Sequence, residues 1–182
     1  MSTSPDSLFS SYRERMLEHI FVGELLRQMW LKGMHEVEVL RAEVDGAGYD
    51  LVLESKQVVR HVQLKARRSD GSRASVGINV KLARKPSGCV VWFDFDPKTL
   101  ELGPFFWFGD KAGEPLLAQD LGEKVGRHTK GDSTGHKAER PNIRDVPRRD
   151  FEEVPTMSDL IARLFGDDWA EPPKDVTNAT SA

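Results

Sequence analysis

The order of hydrophobic periods along the first third of the chain restricts the fold more than any other feature. A helical period comes first, then a glycine, then short runs of period two. Met16/Ile20, Phe21/Leu25 and Leu26/Trp30 recur at helical spacing. They predict a long helix capped by Ser7 or Ser10, running through Leu31 and stopped at Gly33. VEVLRAEV (Val37–Val44) alternates as a strand, and DGAG (45–48) reads as a turn. Leu51–Leu53 and Val58–Ala66 read as two further strands joined by ESKQ. The expectation is an α/β domain whose long helix packs on a mixed central sheet flanked by helices.

CVVWFDFD and PFFWFG are the most apolar segments, and PKTLELG between them predicts a hairpin. Val76–Leu82 fits a strand or a short helix equally well. ARRSDGSRAS reads as a polar loop, and residues 124–149 as a basic loop region. Pro155–Phe165 predicts an amphipathic helix opened by Thr156 or Ser158 and ended by Gly166. Residues 1–170 are read as one domain, with residues 1–6 and the tail EPPKDVTNATSA (171–182) disordered. A chain of 182 residues is long enough for one real core. Its net charge of −3 excludes a uniformly basic nucleic-acid binder, so any such surface has to be local. A lone cysteine, Cys89, excludes a disulfide framework and a cysteine metal cage. No secretory signal and no run of about 20 apolar residues is present, so a cytoplasmic, membrane-free protein is expected.

Strand geometry singles out one constellation in YDLVLESKQVVRHVQLKA (Tyr49–Ala66). Residues two apart share a strand face, so Gln63 and Lys65 point one way while Val62 and Leu64 point the other. Asp50 begins the adjoining strand, where it faces Gln63 across the pair. A carboxylate, an amide oxygen and an ammonium on one patch suit a hard divalent cation, which takes few protein carboxylates and keeps several waters. A lysine beside such a metal orients water and offsets charge growing on a phosphate. Taken singly, Gln63-Leu64-Lys65 is also the ordinary alternation of a half-exposed strand, and Asp50 is also a turn residue.

Asp50…Gln63-Leu64-Lys65, after the Gly-rich turn DGAGYD (45–50), resembles the PD-(D/E)XK nuclease superfamily, and its Mrr-type restriction endonucleases in particular. The resemblance covers Leu8–Arg67. It implies a restriction-endonuclease-like core of helix, three-stranded meander, helix and strand. It also implies a glutamate on the first helix at the metal, with Glu24 in that place and Glu18 as the competing choice. On this basis Asp50, Gln63, Glu24 and the Leu64 carbonyl hold Mg²⁺ or Mn²⁺, and Lys65 positions the attacking water. The implied activity is hydrolysis of DNA phosphodiesters, in defence or DNA processing, with a homodimer favoured for two cuts. Two departures stand out: Tyr49 replaces the proline before Asp50, and Gln63 replaces a carboxylate. The region after Lys65 also lacks an amphipathic crossover helix. The alternatives are a silent member of this fold that binds nucleic acid or protein, and an α/β interaction protein in which Gln63 and Lys65 are merely exposed.

Arg67, Arg68 and Arg73, with Lys124, Arg127, Lys130, Lys137 and Arg140, are candidate phosphate contacts. The competing reading is a solvated surface. GDSTGHK (131–137) fails the phosphate-loop spacing, and His128 and His136 lack zinc-finger partners. His61 shares the Gln63 face but reads as structural. Trp92, Phe93, Phe95 and Phe105–Phe108 read as core. Asp94 and Asp96 fit one exposed strand face, and Cys89 reads as buried and inert.

Overall fold

The computed structural model describes residues 9–42, 46–128, 135 and 137–166. Helix α1 (Ser10–Leu31) buries Leu17, Phe21, Val22, Leu25 and Met29, one stripe at helical spacing. Gly33, at φ 75°, takes the left-handed conformation just past its end, and its N–H donates to the Trp30 carbonyl. Phe9 occupies the N-cap without a side-chain cap bond, and Ser10 is already helical. Ser7 lies outside the described residues.

Strands β1 (Val37–Arg41), β2 (Leu51–Ser55) and β3 (Val58–Arg68) form an antiparallel meander, Leu51 pairing with Arg41 on one side and Val62 on the other. Strand β5 (Gly88–Phe95) runs parallel to β3, and β6 (Leu102–Gly109) returns antiparallel to it. With β9 (Glu152–Val154) on the far edge, the sheet order is β1-β2-β3-β5-β6-β9. The expected α/β class with a mixed sheet is therefore present. No helix makes the crossover from β3 to β5. Instead β4 (Ser75–Asn79) leaves the sheet and a 3₁₀ turn (Val80–Arg84) leads back. Val76–Leu82 is thus strand in its first half and 3₁₀ turn in its second.

All eight residues of β5 are buried, because both faces of the sheet are covered. Cys89, Val91, Phe93 and Phe95 face a core shared with α1 and with α2 (Met157–Phe165). Val90 and Trp92 face a second core, built with Val76, Ile78, Leu82, Phe106, Val146 and Phe151. The cover on that side is a three-stranded sheet, β4-β8-β7, containing β7 (Val125–Arg127) and β8 (Glu139–Pro147). The segment expected to be a basic loop therefore contains two strands. Only Val146 of β8 is buried, so no apolar alternation announces that strand. Gly77 and Gly126 flank Ile143, where an added Cβ would lie 2.8 and 2.7 Å from its Cγ2.

Asp94 is likewise buried rather than on an exposed face. Arg67 meets it with Nε at 2.8 Å and Nη2 at 2.5 Å, and Arg148 lies 3.5 Å away. Both guanidiniums approach the Trp92 ring, and Arg148 also stacks on Phe106 at 3.7 Å. Asp96 instead closes the β5–β6 turn by accepting from the N–H groups of Lys98 and Thr99. At the C-terminal side, the Thr156 hydroxyl oxygen accepts from the Asp159 N–H and so caps α2. The fully buried Arg60 donates to the carbonyls of Leu164, Arg163 and Asp110, which satisfies the end of that helix. No helix among the described residues is long and apolar enough to cross a membrane.

Candidate functional site

Beyond the last Leu51–Val62 pair, the ladder between β2 and β3 ends in a side-chain contact. The Asp50 N–H donates to the Val62 carbonyl at 2.9 Å, and Asp50 Oδ2 accepts from the Leu64 N–H at 2.7 Å. The carboxylate is thereby fixed against the backbone between Gln63 and Lys65. β1 and β3 end, and β2 begins, at this same end of the sheet. The N-terminal half of α1 passes over it. Together they enclose a cavity of about 740 Å³.

Asp50, Leu64 and Lys65 line this cavity, with Tyr49 beside them. The α1 wall contributes Ser11, Arg13, Glu14, Arg15 and Glu18, the end of β3 contributes Arg68, and the β3–β4 connection contributes Ser72 and Arg73. Glu18 is held there by Arg41, whose Nε donates to Oε1 at 2.7 Å, and by Arg15 at 3.0 Å. Asp50, Lys65 and Leu64 of the expected set are therefore brought to one place.

Gln63 and Glu24 are not among the residues lining it. Gln63 is buried, and its Oε1 accepts from the backbone N–H of Asn79 at 3.3 Å, so its amide braces the start of the 3₁₀ turn. The same turn holds the approach to Asp50. Asn79 Oδ1 accepts from the Lys81 N–H, and Lys81 Nζ donates to the Gly46 carbonyl at 2.8 Å. A side chain at Gly48, whose φ is 87°, would press on Asn79 and on the Leu82 N–H.

Glu24 lies six residues beyond Glu18. That is about 9 Å along the axis and about 120° around it, so the two cannot serve one site together. Glu24 forms a two-bond pair with Arg27, at 2.8 Å for both contacts, and accepts from Gln28 at 3.0 Å. The Arg27 hydrogen bond, more than its charge, holds the Glu24 carboxyl below its ordinary value. Of the two glutamates weighed for α1, Glu18 is the one that reaches the cavity.

The expected phosphate contacts divide in the same way. Arg68 and Arg73 line the cavity, with Arg68 also paired to Asp70 at 2.9 Å. Arg67 lines it too, but is committed to Asp94. Lys124, Arg127, Lys137 and Arg140 are exposed on or beside the second sheet, away from the cavity. Lys124 is paired with Asp145 at 2.6 Å and Arg127 with Glu139 at 3.5 Å. Lys130 lies outside the described residues. His61 is structural: its Nδ1–H donates to the Pro86 carbonyl at 2.7 Å, and its ring packs edge-on against Tyr49.

Arg13 and Arg15 were not anticipated at the site. The one available signal was their position, one turn ahead of Glu18 on the helix that the β-meander must cover.

Donor chemistry sets what this cavity can hold. Among the described residues no three His, Cys, Asp or Glu side chains stand close enough to cage a metal ion. Asp50 Oδ2 accepts from the Leu64 N–H, and Asp50 is the carboxylate nearest Lys65 in sequence among those lining the cavity. One protein carboxylate with water completing the shell is a known way to bind Mg²⁺, so the cavity fits a weakly held hydrated cation better than a caged one. Compared with protein-family models and with curated proteins, the chain matches none.

Proposed function

We propose that this chain is a divalent-metal-dependent phosphodiesterase acting on DNA, with a core of the restriction-endonuclease-like kind. One observation carries the reading: Asp50 and Lys65, from adjacent antiparallel strands, line the same cavity, with the Asp50 carboxylate fixed on the Leu64 N–H between Gln63 and Lys65. The order of helix, antiparallel meander and parallel fourth strand supports the fold assignment, with β4 and a 3₁₀ turn in place of the crossover helix. Asp50 is the residue that would hold Mg²⁺ or Mn²⁺, with Glu18 rather than Glu24 as the helix carboxylate at the cavity. The cation supplies charge neutralisation at the phosphate and a more acidic water. Lys65 binds a non-bridging phosphate oxygen and stabilises the charge that grows there.

Replacing Asp50 by Asn or Lys65 by Ala is expected to lower Mg²⁺- or Mn²⁺-dependent cleavage of a labelled oligonucleotide by at least about a hundredfold. Binding should stay within a few-fold. Variants that cleave like the wild type contradict the reading. A second reading, a non-cleaving nucleic-acid-binding protein, is favoured by the Gln63 amide's engagement with Asn79. It predicts binding without cleavage in either metal.

A further inference from the structure

The cavity carries more positive charge than the Asp50–Lys65 pair requires. Six cationic side chains line it against three acidic ones, although the chain as a whole is net negative. The cations are not spread evenly. Arg13 and Arg15 stand on α1, Lys65 and Arg68 on β3, and Arg73 on the β3–β4 connection. Arg15 is 59% exposed and its pair with Glu18 is a surface contact, weak enough to be exchanged for a phosphate. Arg73 is exposed as well.

We propose that these cations clamp a single nucleic-acid strand, whose successive phosphates contact Arg13 and Arg15 on α1 and Arg68 and Arg73 on β3 and its connection to β4. The inference rests on the reading above that nucleic acid enters this cavity, and it adds the form of the substrate and two contacts on α1. Size separates a single strand from a duplex. A cavity of about 740 Å³ is that of a cleft for a small ligand, commensurate with one or two nucleotides. A double helix, whose major groove alone is about 12 Å wide, does not enter it. Cationic side chains from two elements along one cleft suit a flexible backbone, as in other single-strand grooves.

The test is fluorescence anisotropy with a labelled 12-nucleotide single strand and the matching duplex, in EDTA, from 50 to 200 mM salt. The single strand should bind more tightly than the duplex. Arg15→Gln and Arg73→Gln, one from α1 and one from the β3–β4 connection, should each weaken single-strand binding several-fold at low salt. Each should also flatten the slope of log K against log salt by about 0.7. Arg84→Gln, on the 3₁₀ turn away from the cavity, should change neither quantity. Equal or tighter duplex binding overturns the proposal, as do wall variants that bind like the wild type. So does an Arg84→Gln loss as large as theirs. Because EDTA prevents metal-dependent hydrolysis, these outcomes are separate from cleavage: a protein that binds as described but never cleaves removes the phosphodiesterase reading alone.

Discussion

Two glutamates six residues apart on α1 have opposite environments, and the difference fixes which can matter to chemistry. Glu18 lines the cavity, whereas Glu24 is held by Arg27 and Gln28 away from it. Under the proposed function, Glu18→Gln should lower metal-dependent cleavage at least about tenfold, while Glu24→Gln should stay within about twofold. Single-turnover cleavage rates check the contrast, and equal effects at both positions contradict it. Cys89 allows a separate test at this scale. Burial pushes its thiol up from 9.0 to about 12. The folded protein then holds this proton where the unfolded chain releases it. Its stabilising contribution is full below pH 9 and is lost as pH rises from 9 toward 12. Thermal melts over that range should show wild type losing stability that Cys89→Ala does not. A thiol reagent at pH 8 should label Cys89 only after unfolding.

Elements are joined here by polar anchors as well as apolar packing, and Arg60 is the clearest. Among the described residues no carboxylate forms a salt bridge with it. It donates to the carbonyls of Arg163 and Leu164 in α2 and of Asp110 just past β6, and its guanidinium lies 5.2 Å over the Trp107 ring. Arg60→Met removes those donors from buried carbonyls and should cost about 2–4 kcal/mol of stability, read by denaturant unfolding. Gly88→Ala tests the start of β5, where a Cβ would lie 2.5 Å from the Leu82 carbonyl and force the 3₁₀ turn off the sheet. A loss of about 1–3 kcal/mol is expected. The meander, the β5–β6 hairpin and α2 with its Thr156 cap were legible through their apolar periods, whereas in α1 only the extent was, since Leu26 and Trp30 of the expected face are exposed. β7 and β8 were not legible. They bury little, β8 contains Pro141 and Pro147, and their packing rests on Ile143 between two glycines. Strand alternation sets Gln63 with Lys65 and Leu64 on the other face, whereas Leu64 and Lys65 line the cavity with Asp50 and Gln63 does not. The engagement of Gln63 was not legible, because its partner is a backbone N–H sixteen residues away.

At the scale of the whole molecule, a helical layer, a six-stranded mixed sheet and a three-stranded sheet enclose two cores. The sheet end where Asp50 and Lys65 meet is left open as the cavity. Exposed Phe9, Tyr12 and Trp30 lie on the outer side of α1, opposite its buried stripe. On the second sheet Lys124 pairs with Asp145 and Arg127 with Glu139, while six cationic side chains line the cavity. Under the proposed function, Asp50 and Lys65 make this opening hydrolytic. The most direct measurement is single-turnover cleavage of a labelled single strand in Mg²⁺ and in Mn²⁺, by wild type and by Lys65→Ala under matched binding. The account predicts metal-dependent cleavage by wild type and a loss of at least about a hundredfold in the variant. Cleavage by Lys65→Ala at the wild-type rate, or none by the wild type in either metal, contradicts it.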